Sequence, residues 1–330
     1  MNLAPWQQEP LERVLAAWRA GRLGHALLLC GPEGIGKRAL ALALAARLLC
    51  EGPAEGPPCG RCRGCQLRQA GTHPDLHLLS FEEVPNSSPP RLRSELLVDQ
   101  VRAATATAQM TAQRGGVQLL LIDPADALNP AAANALLKTL EEPSPGRYLL
   151  LLSARPQRLP ATIRSRCQRI ELALPAPPLA LEWLLAQGHA AGPAAAALAA
   201  ADGHPGLADA WLREGGLALR EATLRDWAAV AAGQRAALGV AQAWMAEPAT
   251  VALRLRFVAD AALALARSAA GGPATVPGLT APTDLAKLAA WFDQLNRLRR
   301  QLAAPLKHEL ALAGLLAGWR HLPAPTETAR

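Results

Sequence analysis

Gly31-Pro-Glu-Gly-Ile-Gly36-Lys37 has the spacing of a loop that cradles phosphate on backbone N–H groups, with a lysine placed to meet the outer phosphates. In a complete loop of this kind the next residue is Ser or Thr, whose hydroxyl holds the magnesium bridging the β- and γ-phosphates. Here it is Arg38, which carries fixed positive charge and has no lone pair to offer a metal. Val117-Gln-Leu-Leu-Leu-Ile122-Asp123 adds the apolar strand ending in a metal-binding acid, yet the residue that should orient the attacking water is Pro124. Asp126, beyond the proline, is a poor substitute. Gly31, Gly34, Gly36, Lys37 and Asp123 thus form a degenerate nucleotide site: phosphate binding stays open, and magnesium-dependent hydrolysis is not expected.

Cys50, Cys59, Cys62 and Cys65 form the second chemical cluster, the last three as Cys-Gly-Arg-Cys-Arg-Gly-Cys. Two-residue gaps let successive thiolates reach one tetrahedral ion, and Gly60 and Gly64 permit the turns this needs. Zinc is the expected metal, in a structural role because four protein ligands leave no position open for water. An Fe–S cluster could use the same ligands, His73 could replace Cys50, and a disulfide framework would suit a small secreted protein instead. The remaining cysteines differ: Cys30 closes an apolar run and reads as core, whereas Cys167 belongs to Leu159-Pro-Ala-Thr-Ile-Arg164-Ser165-Arg166-Cys167-Gln-Arg169.

That segment resembles the Ser-Arg-Cys motif of the clamp-loader branch of the AAA+ ATPases. Asn129-Pro-Ala-Ala-Ala-Asn-Ala-Leu-Leu-Lys-Thr-Leu-Glu-Glu-Pro143 and Ala70-Gly-Thr-His-Pro-Asp75 are similarly typical, and together with the cysteines they point to the delta-prime type of the bacterial DNA polymerase III clamp loader. The resemblance runs through roughly the first half of the chain. It implies a subunit without ATPase activity of its own inside the polymerase holoenzyme. Its partners would be the gamma/tau motor subunits and the delta subunit in a hetero-oligomeric ring, with the sliding clamp and primed DNA met through the assembly. Arg166, flanked by Ser165 and Cys167, would be an arginine finger given to a neighbour's ATP site, with Arg164 the second choice. A guanidinium beside a γ-phosphate neutralises charge that builds up in the transition state, so supplying it from a neighbour makes hydrolysis depend on assembly. Where motor subunits carry a Gly-Ser-x-Arg second sensor, this chain has Gly203-His-Pro-Gly206. Two other readings are an active P-loop ATPase that tolerates Arg38, and a zinc-dependent nucleic-acid module.

The elements that must position these groups are legible as breaks in pattern. Apolar runs at 26–30, 76–81, 117–122 and 148–153 alternate with helical stretches, which predicts a parallel sheet flanked by helices, with a further strand at 170–172. Asn129 is suited to cap a helix whose first residue is Pro130 and which Pro143 ends. Pro175-Ala-Pro-Pro178 closes the sheet domain. The expected organisation is an α/β P-loop-type domain at 1–173 carrying the zinc module at 50–65, a small helical lid at 174–212, and a helical collar at 213–330, broken at Gly271-Gly-Pro273 and Pro277-Gly278. A chain of 330 residues exceeds what one core usually serves.

The formal net charge of +7 favours a polyanionic neighbourhood, with Arg91-Leu-Arg93 and Arg297-Leu-Arg-Arg300 as candidate phosphate contacts. Aromatic residues make up 4% of the chain and the eight tryptophans are scattered along it, so no stacking platform for single strands is expected. The first ten residues lack a basic start and an apolar core, and the long apolar stretches are interrupted by charge, so neither a secretory leader nor a membrane span is expected and the location should be cytoplasmic.

Overall fold

A computed structural model describes residues 3–85, 92–109, 111–114, 116–142, 144–269, 276–280, 284–302 and 308–322. Arg91, Pro143, Gly271-Gly-Pro273 and residues 86–90 lie outside the described residues. The chain divides into two compact units, Met1–Leu212 and Arg213–Arg330.

The first unit opens with α1 (Pro5–Arg19), then β1 (Ala26–Cys30), α2 (Lys37–Leu48), α3 (Arg63–Gln69), β2 (Leu76–Leu79) and α4 (Val98–Gln109). It continues with β3 (Gln118–Ile122), α5 (Pro130–Glu141), β4 (Arg147–Ser153), the single turn α6 (Ala161–Arg164) and β5 (Gln168–Glu171), and closes with α7 (Pro177–Ala186), α8 (Ala191–Ala200) and α9 (Pro205–Arg213). The strands form one sheet in the order β2-β3-β4-β1-β5, every neighbouring pair parallel. Near-continuous apolar strands are what a sheet covered on both faces requires. Successive residues therefore serve opposite layers. Leu27, Leu29, Leu119, Leu121, Leu150 and Leu152 pack with Val14 of α1 and Leu40 and Leu44 of α2. Leu28, Cys30, Leu120, Ile122, Leu149 and Leu151 pack with Val101 of α4 and Leu136 and Leu140 of α5.

Local signals hold where chemistry compels them. The Asn129 side chain accepts from the Ala132 N–H at 2.8 Å and Pro130 opens α5, as an N-cap followed by a residue without an N–H should. The second strand is shorter than its apolar run, because Phe81 packs into a core layer without extending the ladder.

The second unit is helical: α10 (Gly216–Ala231), α11 (Ala237–Met245), α12 (Pro248–Ala269), α13 (Leu285–Gln301) and α14 (Glu309–Gly318). Tryptophans scattered in sequence are gathered here in space. Trp227 stacks on Trp291 at 5.8 Å and meets Trp319 edge-on at 4.7 Å, all three within the core. Such buried rings offer no surface for bases. Among the described residues no helix is long and apolar enough to cross a membrane.

Candidate functional site: a tied phosphate loop, a cysteine cluster and an outlying arginine

The loop from Gly31 to Gly36 joins β1 to α2, and each of its six carbonyls has a donor. Lys37 Nζ donates to the Gly31 and Pro32 carbonyls at 2.7 and 2.8 Å. His204 Nδ1 donates to the Glu33 carbonyl at 3.2 Å and the Gly206 N–H to Gly34 at 3.1 Å. Trp6 Nε1 and Gln7 Nε2 reach Ile35 at 3.0 and 3.1 Å, and Gln7 also reaches Gly36 at 2.8 Å. Two of these approaches leave no room for a side chain, one on the loop and one on its partner. A Cβ at Gly206 would overlap the Gly34 carbonyl, and one at Gly36, whose φ is +91°, would overlap Gln7. Residues 203–206 therefore meet the loop through the His204 ring and the Gly206 backbone, and a side chain at Gly206 does not fit.

An ion pair joins the two residues that the sequence marked for a metal position. Arg38 Nε lies 2.6 Å from Asp123 Oδ2, so the guanidinium offsets the charge of that carboxylate. Asp126 is committed elsewhere. Its buried carboxylate accepts from Ser153 Oγ at 2.8 Å, the Ala154 N–H at 3.1 Å and Arg155 Nε at 3.3 Å, which fixes the turn after β4. Burial lowers the Lys37 pKa below that of a free lysine, against the opposing pull of Asp123 and Asp126.

The sulfurs of Cys50, Cys59, Cys62 and Cys65 all lie within 4.8 Å of one another, the spacing one tetrahedral ion needs. Backbone N–H groups point at them: Gly52 and Cys59 donate to the Cys50 sulfur at 3.4 and 3.3 Å, Cys62 to Cys59 at 3.4 Å, and Cys65 to Cys62 at 3.4 Å. Donation from Arg61 and Cys62 holds the Cys59 thiol down at about 6, toward the thiolate that a metal takes up. This donor set fits zinc. His73 is outside the cluster; it is buried, its Nδ1 accepts from the Asp75 N–H at 3.1 Å, and burial lowers its pKa. Asp75 in turn receives the Gln113 and Arg114 N–H groups at 2.8 and 3.1 Å, and Arg114 Nη2 pairs with Glu51 at 2.6 Å, tying the cysteine module to the start of β3.

Arg166 lies just beyond α6. Its Nη2 is 2.6 Å from Glu141 at the end of α5, and its Nη1 donates to the Thr162 carbonyl at 2.9 Å. Ser165 Oγ turns back to Thr162 at 3.1 Å, Arg164 Nη1 donates to the Pro156 carbonyl at 3.4 Å, and Arg169 pairs with Glu171 at 2.5 Å. Cys167 packs against the α5-side core, and burial pushes its thiol up to about 11. The contacts of Trp6, Gln7, His204 and Glu141 were not legible in the sequence because each acts across 25 or more residues and carries no local signature.

A five-stranded parallel sheet with a glycine-rich loop leading into a helix defines a P-loop-type α/β protein, one in which Arg38 and Asp123 pair beside the loop. The family profile described as "DNA polymerase III, delta subunit" matches residues 6–176. A DNA polymerase III subunit delta' of Pseudomonas aeruginosa is 37% identical over 98% of this chain and 99% of its own. That of Escherichia coli K12 is 44% identical over 56% of this chain and 53% of its own. A solved DNA polymerase III gamma subunit-related protein from Thermotoga maritima shares the fold, with a TM-score of 0.50 at 16% identity over 96% of this chain and 99% of that one. The chain belongs to the DNA polymerase III delta' family.

Proposed function

We propose that this chain is a clamp-loader subunit of DNA polymerase III that does not hydrolyse ATP itself and lends Arg166 to the ATP site of a neighbouring motor subunit. The observation that carries this reading is the polarity of the sheet. The register pairs Leu27 of β1 with Gln168 of β5, so Arg166 stands level with the start of β1, while the phosphate loop follows its end. About six residues of strand at 3.3 Å each put roughly 20 Å between them. An arginine side chain does not span that distance, so a phosphate on this chain's own loop is out of reach of Arg166, which supports service to a neighbour's site.

The remaining features agree with this division of labour. The Arg38–Asp123 pair and the commitment of Asp126 leave the loop without a metal site and without a water-activating acid. Zinc on the four cysteines would brace the segment between α2 and β2 as a structural ion. Gamma/tau and delta subunits would complete the ring, which would meet the sliding clamp and primed DNA as an assembly.

The test is ATP turnover by the chain alone and by its mixture with motor and clamp-opening subunits, clamp and primed DNA. The chain alone should be silent, and Arg166→Ala should lower turnover at the served site by about 10³-fold or more. Turnover by the chain alone, or indifference of the mixture to Arg166→Ala, would overturn the reading.

A further inference from the structure

Arg47 is one of the most deeply buried side chains in the molecule, with 2% of its surface accessible. A buried guanidinium ordinarily has a carboxylate beside it, because an isolated charge taken out of water is costly. Among the described residues no carboxylate pairs with Arg47. Its partners are two carbonyls, Pro57 from Nη1 at 3.3 Å and Gly52 from Nη2 at 3.2 Å, and its Nε is buried without a partner. Both carbonyls belong to the loop that separates Cys50 from Cys59. Gly52 packs directly on the cluster: its N–H donates to the Cys50 sulfur, and a Cβ there would lie 3.4 Å from that sulfur and 3.6 Å from that of Cys59.

Charge counting names the missing counter-ion. A divalent ion held by four thiolates carries a net charge of 2−, and on the side of the cluster formed by the buried Cys50 and Cys65 that charge acts over short range with reduced screening. We infer that Arg47 is the metal-positioning residue of this module: its guanidinium clasps the Cys50–Cys59 loop at two carbonyls and supplies the countercharge to the tetrathiolate-bound ion. The inference rests on the zinc reading above. It gives a function to a cation that packing alone does not explain, since an apolar side chain of the same length would fill the space without the cost of burying charge.

The test titrates zinc into the full-length, metal-free protein against a chromophoric chelator, for wild type, Arg47→Met, Arg47→Lys and Arg47→Gln. Wild type should take up one zinc per chain. Arg47→Met should bind it 10- to 100-fold more weakly, the usual scale for removing an outer-shell partner of a metal ligand. Lysine keeps the charge and loses the fork, whereas glutamine keeps one hydrogen bond and loses the charge; lysine should bind more tightly than glutamine. That pair of variants carries the comparison even if the methionine variant fails to fold. Melting temperatures of the metal-free forms supply a readout that a purely structural clasp would move the other way: without the ion, Arg47→Met should be as stable as wild type or more so. A wild type that binds zinc with an affinity unchanged by Met or Gln would overturn the role of Arg47 and leave the metal site standing. A wild type that binds no zinc would overturn both.

Discussion

Cys167 and Arg166 are adjacent in sequence and opposite in character. The arginine lies at the surface with both terminal nitrogens engaged by Glu141 and the Thr162 carbonyl, while the thiol beside it is packed against the core and held protonated by burial. The thiol anchors the loop that presents the arginine. A thiol raised to about 11 keeps its proton in the folded chain after the unfolded chain, near 9, has lost it. The stability that it contributes is complete below about pH 9 and is lost as pH rises through 11. Urea midpoints measured at pH 8 and pH 10.5 should therefore converge between wild type and Cys167→Ala as pH rises; an offset constant with pH would show that burial of the thiol does not govern the alkaline limb. Much at this scale was readable in advance. The gathering of Cys50, Cys59, Cys62 and Cys65 was legible in their spacing, and Arg38 and Pro124 raised the expectation of a degenerate loop from residue chemistry alone. The Arg38–Asp123 and Arg166–Glu141 pairs were not, because ion pairs between segments 85 and 25 residues apart depend on how strands stack, and a single sequence carries no record of that.

Among the elements, α9 has the most consequence for its small size. Its first turn rests on the phosphate loop through backbone contact between Gly206 and Gly34, reinforced by His204 on the Glu33 carbonyl. Gly206→Ala should force the two segments apart and cost about 1–3 kcal/mol, the usual scale of overpacking, read as a lower urea midpoint of the unit 1–212. A neutral outcome would mean that the contact relaxes freely. Strands and caps in this unit follow from periodicity and from Asn129-Pro130, since those signals are local. The seating of α9 does not, because two glycines facing each other across 172 residues look like any other turn residues in a linear string.

At the scale of the whole chain, the two units bury different kinds of core. The first stacks leucines in two layers on a sheet, and the second closes five helices around Trp227, Trp291 and Trp319. Trp227 is fully buried and touches both other rings, so Trp227→Ala should cost the second unit about 3–5 kcal/mol. Hydrogen exchange should locate the loss in α10 and α14, with β1, β3 and β4 still protected; equal loss in the strands would count against separate cores. The parallel sheet has one more consequence. On the reading proposed above, Arg166 at one end of the strands would be lent out while the tied-off loop at the other takes nothing up, and contacts of that kind through the first unit would be heterologous: they would not close on themselves in pairs but run in one direction. On that reading a unit that hands on but does not take up would set where such a series starts. The count of productive junctions would then be fixed by the other members, however many copies of this one were present.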